Sequence, residues 1–309
     1  MNMENPIKLK KLDIFLDSNP QALKKIQDLA STFTQLPSRQ RLLYNLMSMA
    51  TDVNTFNTNL IDYLAEDSEL SKKIVQKARL SSSISQARIS VTDLKQSIIR
   101  LGYEHVHKEV RHHLAGYFTK MYFSSSSQHT KTLIKRSVRL GFLARELNKL
   151  LGLNMENLMF FAGLNFYIGE IALSMHDPRA MQEILLMQER GVDPKTAQLT
   201  VLGFDLAELS AKIVSKWHLP DPILDLVKNS SDLGFVDPDN FKSAILMRFT
   251  LFMALAFSNK NLSPKATWDK AYEFMGKLDV KHIDSETWIQ EIKLLYIRLL
   301  ETEHTLFQR

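Results

Sequence analysis

The run from Met155 to Ser174 is apolar on nearly every side, and from Met159 onward Glu170 is its one charge. Wound as a helix, such a segment has no face to offer water, so neighbouring elements must surround it. A sheet covered on one side does not meet that demand, whereas a stack of helices does. Asn154 is placed to cap this helix. Gly163 and Gly169 inside it weaken its helical propensity, and close approach of another backbone is the expected reason for them.

The rest of the chain supplies amphipathic helices in quantity. Asn19-Pro20 opens one, with Leu23, Ile26, Ala30 and Phe33 on a single face. Leu36-Pro37 precedes a second, Gln40 to Ala50. Phe56, Leu60, Ile61 and Leu64, then Leu70, Ile74, Val75 and Ala78, repeat the spacing, and Leu94, Ile98 and Leu101 end at Gly102. Val106 to Met121 marks a longer helix running into Ser124 to Ser127, which reads as a flexible joint. Leu133 to Leu151, Leu206 to Trp217, Phe241 to Phe257 and Ile289 to Leu299 carry the remaining stripes. With only 10 glycines and 9 prolines, and no alternating apolar pattern, the chain is expected to be all-α.

Composition narrows the function classes. There are no cysteines, which excludes disulfides, thiol catalysis and Cys-ligated metal centres and fits a reducing cytoplasmic setting. The Met1 to Lys11 segment holds no secretory signal. The most apolar window, Phe241 to Phe257, contains Lys242 and Arg248, and its uninterrupted part from Leu251 is well short of the roughly 18 to 20 residues a bilayer requires. No membrane insertion is expected. A net charge of +5, from 39 basic and 34 acidic residues, permits a polyanionic partner without announcing one. No G-x-S-x-G turn or phosphate-cradling glycine loop occurs.

Several segments in order resemble the HDOD family, relatives of the metal-dependent HD phosphohydrolases. Leu36-Pro37, Ala65 to Leu70 followed by Lys72 to Ala78, and Ile89 to Leu94 with Ile98 to Gly102 resemble its opening motifs. Ala162-Gly163-Leu164 with Ile168-Gly169 resembles the frame around the His-Asp pair. Ala207 to Ser210 with Lys216 to Pro220 resembles its later "A-E … W-x-L-P" frame. The resemblance implies an HD-like multi-helix fold of two helical lobes joined near residues 122-130. It divides the chain into an extension over 1-35, lobes over 36-123 and 130-260, and a second extension over 261-309.

The departures from that pattern carry the functional expectation. HD hydrolases hold a divalent cation with histidine nitrogens and aspartate oxygens, since both donate lone pairs. The resemblance sets Arg136 at the first ligand histidine, Asn165-Phe166 at the His-Asp pair and Leu206 at a later histidine. The histidines of many relatives are also missing near Asn229-Ser230. Arginine stays protonated, and phenylalanine and leucine have no donor atom. No catalytic residue, metal or cofactor is therefore expected. On a helical wheel Arg136 falls at the edge of the Leu140, Leu143, Leu147 sector, so it is expected to turn inward, with Glu170 as its partner in a relic pocket.

Two other constellations stand out. His105, Glu109 and His112 fall within one sector of a helix, beside His113, as a surface zinc or nickel candidate. Lys131, Lys135, Arg139, Arg145 and Lys149 form a basic stripe that an acidic partner or nucleic acid could meet, though no nucleic-acid motif accompanies it. The expected function is that of a non-catalytic signalling protein acting by protein–protein contact. By resemblance its partners are histidine kinases, response regulators or cyclic-dinucleotide enzymes of bacteria. The alternatives are residual metal-dependent phosphodiesterase activity, or nucleotide or nucleic-acid binding along the basic face.

Overall fold

The computed structural model describes residues 19–33, 42, 58–84, 94–123, 127–217, 219–229 and 236–258, with short pieces at 269, 272–274, 276–278, 290–292 and 294–301. Every regular element among them is helical, as the spacing of apolar residues requires. Apart from Leu42, the expected helix Gln40 to Ala50 lies outside the described residues, as do the segment from Ile89 to Asp93, the joint at Ser124 to Ser126, Ser230 and Ile289.

The chain forms two compact units, Leu36–Met121 and Met1–Gln35 with Tyr122–Arg309. The smaller contains α2 (Thr58–Glu66), α3 (Ser68–Ile84), α4 (Leu94–Leu101) and most of α5 (Tyr103–Phe123). Leu64, Leu70, Ile74, Ala78 and Ile98 are buried where α2, α3 and α4 meet. Asp67 stands between α2 and α3 and uses both carboxylate oxygens. Its Oδ1 accepts the backbone N–H groups of Glu69 and Leu70 at 3.1 and 3.0 Å, capping α3. Its Oδ2 lies 3.1 Å from His113 Nε2. Lys73 Nζ is 3.3 Å from the other ring nitrogen, and an ammonium can only donate, so Nδ1 accepts and Nε2 carries the proton toward Asp67. One turn on, Lys77 pairs with the buried Glu109.

The larger unit contains α1 (Pro20–Ser31), α6 (Gln128–Leu150), α7 (Glu156–Asn165), α8 (Ile168–His176), α9 (Pro178–Glu189), α10 (Pro194–Leu202), α11 (Leu206–Lys216), α12 (Asp221–Asn229) and α13 (Phe241–Ser258). Asn19 caps α1 through Ala22 N at 3.2 Å, as the Asn-Pro pair predicts. α1 packs on α11 and α8, and Trp217 Nε1 donates to Phe33 O at 2.8 Å. Residues 294–301 are helical and bury Tyr296 and Leu299.

α6 and α7 pack backbone to backbone. A Cβ on Gly163 would lie 2.7 Å from both Cα and N of Gly141, so the two backbones touch with no side chain between them. α8 meets α11 in the same way, since a Cβ on Gly169 would fall 2.4 Å from Leu206 O. Both glycines that the sequence marks as costly are thus contact points.

The structure corrects two local expectations. Asn154 does not cap α7. It takes a left-handed φ of 55°, while the buried Asn148 accepts Met155 N–H at 2.9 Å from α6. Nor is Met155 to Ser174 one helix, because it breaks into α7 and α8 at Phe166-Tyr167. By length and composition the stretch Glu156–His176 passes for a membrane span, but 72% of its window is buried within the fold, as in a core helix.

Gly163→Ala is expected to lose stability by about 1–3 kcal/mol or more, because the added methyl meets rigid backbone on α6. Urea denaturation of the two proteins measures it.

Candidate functional site

Asn165, Phe166, Glu170 and Leu206 gather where α7 gives way to α8, and a hydroxyl from α11 explains why the helix breaks there. In an unbroken helix Gly169 N–H would bond to Asn165 O. It donates instead to Ser210 Oγ at 2.9 Å. Ser210 in turn directs its own proton to Leu206 O at 2.9 Å, with Phe166 O at 3.3 Å. A side chain inserted into the ladder in this way bends a helix. The last turn of α7 tightens, with Phe166 N reaching Gly163 O at 3.3 Å, and α8 restarts with Ile171 N on Tyr167 O at 2.9 Å.

The antiparallel register of α6 against this pair is set at three points. Thr130 Oγ1 lies 2.6 Å from Ser174 Oγ, Gly141 faces Gly163, and Asn148 holds Met155. Arg136 and Ser137 therefore come level with Ile168 and Tyr167. Ser137 is fully buried and its hydroxyl has no partner among the described residues.

Arg136 does not turn inward as expected; it is exposed. The wheel placed it at the rim of the apolar sector, and at the rim a long side chain follows its charge into water. Its field nonetheless reaches three groups. Glu170 is half-buried, and burial pushes its carboxyl up to about 7, with the Arg136 cation opposing the rise. Burial also raises Tyr167 to about 12; Glu170 adds to that and Arg136 works against it. His129, about two turns before Arg136 on the same helix, is lowered by burial and then by that cation.

The side chains at the joint do not fit the divalent cation that the resemblance implies. Asn165 is buried, with Nδ2 donating back to Phe161 O at 2.8 Å. Leu206 is buried and Phe166 stacks edge-on against Tyr167, their centroids 5.2 Å apart; neither has a donor atom. Glu170 is left as the one carboxyl among these side chains.

Tyr167, Ser210, Ser137 and His129 were not foreseen as parts of the site. Tyr167 lies between the two parts of that frame, directly after the Asn165-Phe166 positions. Ser210 had a legible signal as a small polar residue in a frame whose partner helix carries Gly169.

Neither of the other constellations is assembled as expected. Glu109 is taken by Lys77, and His112 Nδ1 lies 2.7 Å from Lys108 O, while His105 is exposed. Among the described residues no group of three His, Asp or Glu side chains could hold a metal ion, so the His105, Glu109, His112 candidate falls. The basic stripe is not one solvated face. Lys149 is exposed, but Lys131 sits over the Phe123 ring at 5.1 Å and Lys135 is half-buried. Arg139 donates to Tyr296 Oη at 3.3 Å, and Arg145 is buried beside Glu146.

Comparison with known proteins gives one family and one fold. The model of the HDOD domain matches residues 36–233. No curated protein matches the chain. Among solved structures, an HDOD domain protein with unknown function from Geobacter sulfurreducens superposes with a TM-score of 0.66 at 17% identity, covering 92% of this chain and 99% of that one. A candidate phosphohydrolase from Shewanella amazonensis SB2B gives 0.64 at 16% identity, over 93% and 98% of the two chains. A candidate signal transduction protein from Marinobacter aquaeolei VT8 gives 0.61 at 14%, over 98% and 68%. At these identities the likeness is one of fold.

Ser210→Ala is expected to cost about 1–3 kcal/mol, since it strands the buried Gly169 N–H. Chemical denaturation reads the loss.

Proposed function

Because this chain belongs to the HDOD domain family, we propose that it is a non-catalytic signalling or regulatory protein of bacterial signal transduction that works by protein–protein contact. One observation carries the reading: the positions that resemble HD metal ligands hold Arg136, Asn165, Phe166 and Leu206. Asn165 turns its Nδ2 to Phe161 O, which leaves one neutral amide oxygen at most, and the two apolar residues have nothing to donate to a metal. Without a bound cation there is no Lewis acid and no metal-activated hydroxide at the α7–α8 joint, and phosphoester hydrolysis loses its nucleophile. The scaffold remains, and relatives by fold include a candidate signal transduction protein. Histidine kinases, response regulators and cyclic-dinucleotide enzymes are the partner classes the family suggests. A cytoplasmic setting suits those partners.

The nucleic-acid alternative gains no support from the basic stripe, since Arg145 is buried and Arg139 is occupied by Tyr296. The phosphodiesterase alternative would need ligands that the joint does not offer.

Purified chain supplemented with manganese, iron or nickel is expected to bind none stoichiometrically and to show no chelator-sensitive turnover of a model phosphodiester. Metal analysis and a colorimetric assay test this, and stoichiometric metal with turnover that dies on chelation overturns the proposal. Co-purification at physiological salt is expected to recover one of the named signalling classes.

A further inference from the structure

Among the described residues of the smaller unit, two large apolar side chains are left in water: Leu80 on α3 and Ile99 on α4, 62% and 60% exposed. The two helices pack on each other. Together they carry six cations, Lys72, Lys73, Lys77, Arg79, Lys95 and Arg100, and a single acid, Glu69. Whether that surplus attracts a partner depends on which cations are already engaged, and the faces of α3 differ in this.

One face of α3 is core, with Leu70, Ile74 and Ala78 fully buried. The next face meets α5. There Lys73 Nζ lies 3.3 Å from both His113 Nδ1 and Glu69 Oε1, and Lys77 pairs with Glu109. The third face carries Lys72, Val75, Gln76 and Arg79 at i, i+3, i+4 and i+7, with Leu80 one turn beyond Gln76. Those four residues and Ser71 line an open cavity of about 530 Å³. Ser71 turns its hydroxyl back to Leu64 O at 2.6 Å. The groove therefore presents two cations roughly 10 Å apart along the helix, an amide between them and alkyl surface beside them. α4 repeats the pairing of charge with apolar surface, since Lys95 and Ile99 stand one turn apart and are both exposed.

We propose that this third face of α3 is a docking groove for an acidic amphipathic helix of a partner protein. The proposal rests on the protein-contact reading above and names a surface for it. A helix with carboxylates two turns apart meets Lys72 and Arg79, and its apolar residues between them cover Val75 and Leu80. Gln76, midway, offers a hydrogen bond to either. Charge steers the encounter, and the alkyl contact holds it. Two other polyanions fit less well. α3 and α4 contain no aromatic residue on which a nucleic-acid base could stack. A bilayer is flat, whereas this surface is concave with a half-buried Val75.

A synthetic helical peptide with glutamates at i and i+7 and leucines at i+3 and i+4 is the probe, titrated into the intact protein at low salt. Calorimetry is expected to show saturable binding, and amide NMR to place the shifts at Lys72, Val75, Gln76, Arg79 and Leu80. Lys72→Glu is expected to weaken binding about tenfold or more, because attraction becomes repulsion, while Lys72→Arg retains it. Leu80→Ser is expected to weaken it several-fold. Both positions are exposed, so urea midpoints are expected to stay at the wild-type value. Absence of saturation, binding that ignores Lys72→Glu, or tighter binding of a single-stranded oligonucleotide or of phosphatidylglycerol vesicles overturns the groove. A signalling protein that co-purifies equally with wild type and Lys72→Glu sinks the groove and leaves the signalling role standing. Peptide binding with no co-purifying signalling protein does the reverse.

Discussion

Backbone-to-backbone contact at glycine is the constraint on which the larger unit depends. Gly141 against Gly163, and Gly169 against Leu206 and Ser210, bring α6, α7, α8 and α11 closer than any side chain would permit. An all-round apolar segment needs neighbours on every side, and these contacts let two helices approach without prising the stack apart. They also fix register. Once Gly141 faces Gly163, Thr130 falls beside Ser174 and Asn148 beside Met155, and both polar pairs then cement the alignment.

The break between α7 and α8 grows from the same contacts. Gly169 has no Cβ, so Ser210 approaches near enough to take its N–H, and the hydrogen bond that a continuous helix would have used is forgone. In HD hydrolases the resemblance sets the His-Asp pair at this place. Here the side chains around the joint are an amide, two aromatics, a leucine and a carboxyl. The kink itself is maintained by a glycine and a serine.

The helices were legible because their signal is local. Apolar spacing, the Asn19-Pro20 cap and the stop at Gly102 each involve residues within a turn or two of one another, and the structure bears them out. The family was legible in the order of its frames. What sequence could not give depends on partners far along the chain. No residue near Phe166 announces the break, because its cause is Ser210 on another helix. Arg136 looked inward on the wheel, but a wheel angle at the edge of a sector does not say whether the stem bends to water. Asn148 displaced Asn154 as the partner of Met155 for the same reason: the competitor came from the preceding helix. Likewise five cations on one helix face read as a stripe until Tyr296 and Phe123 were found lying on two of them.

The larger unit is also discontinuous along the chain. α1 belongs to it, yet residues 36–121 intervene as a separate unit before α6 begins. The Phe33–Trp217 hydrogen bond closes a long loop, and α1 rests on α11 and α8, which emerge much later during synthesis. The intervening unit has all its own residues available first and can collapse early. α1 must wait as an amphipathic helix with its apolar face bare, until the helices that cover it have left the ribosome. A helix that precedes the smaller unit in the chain is thus among the last elements of the larger one to find its place.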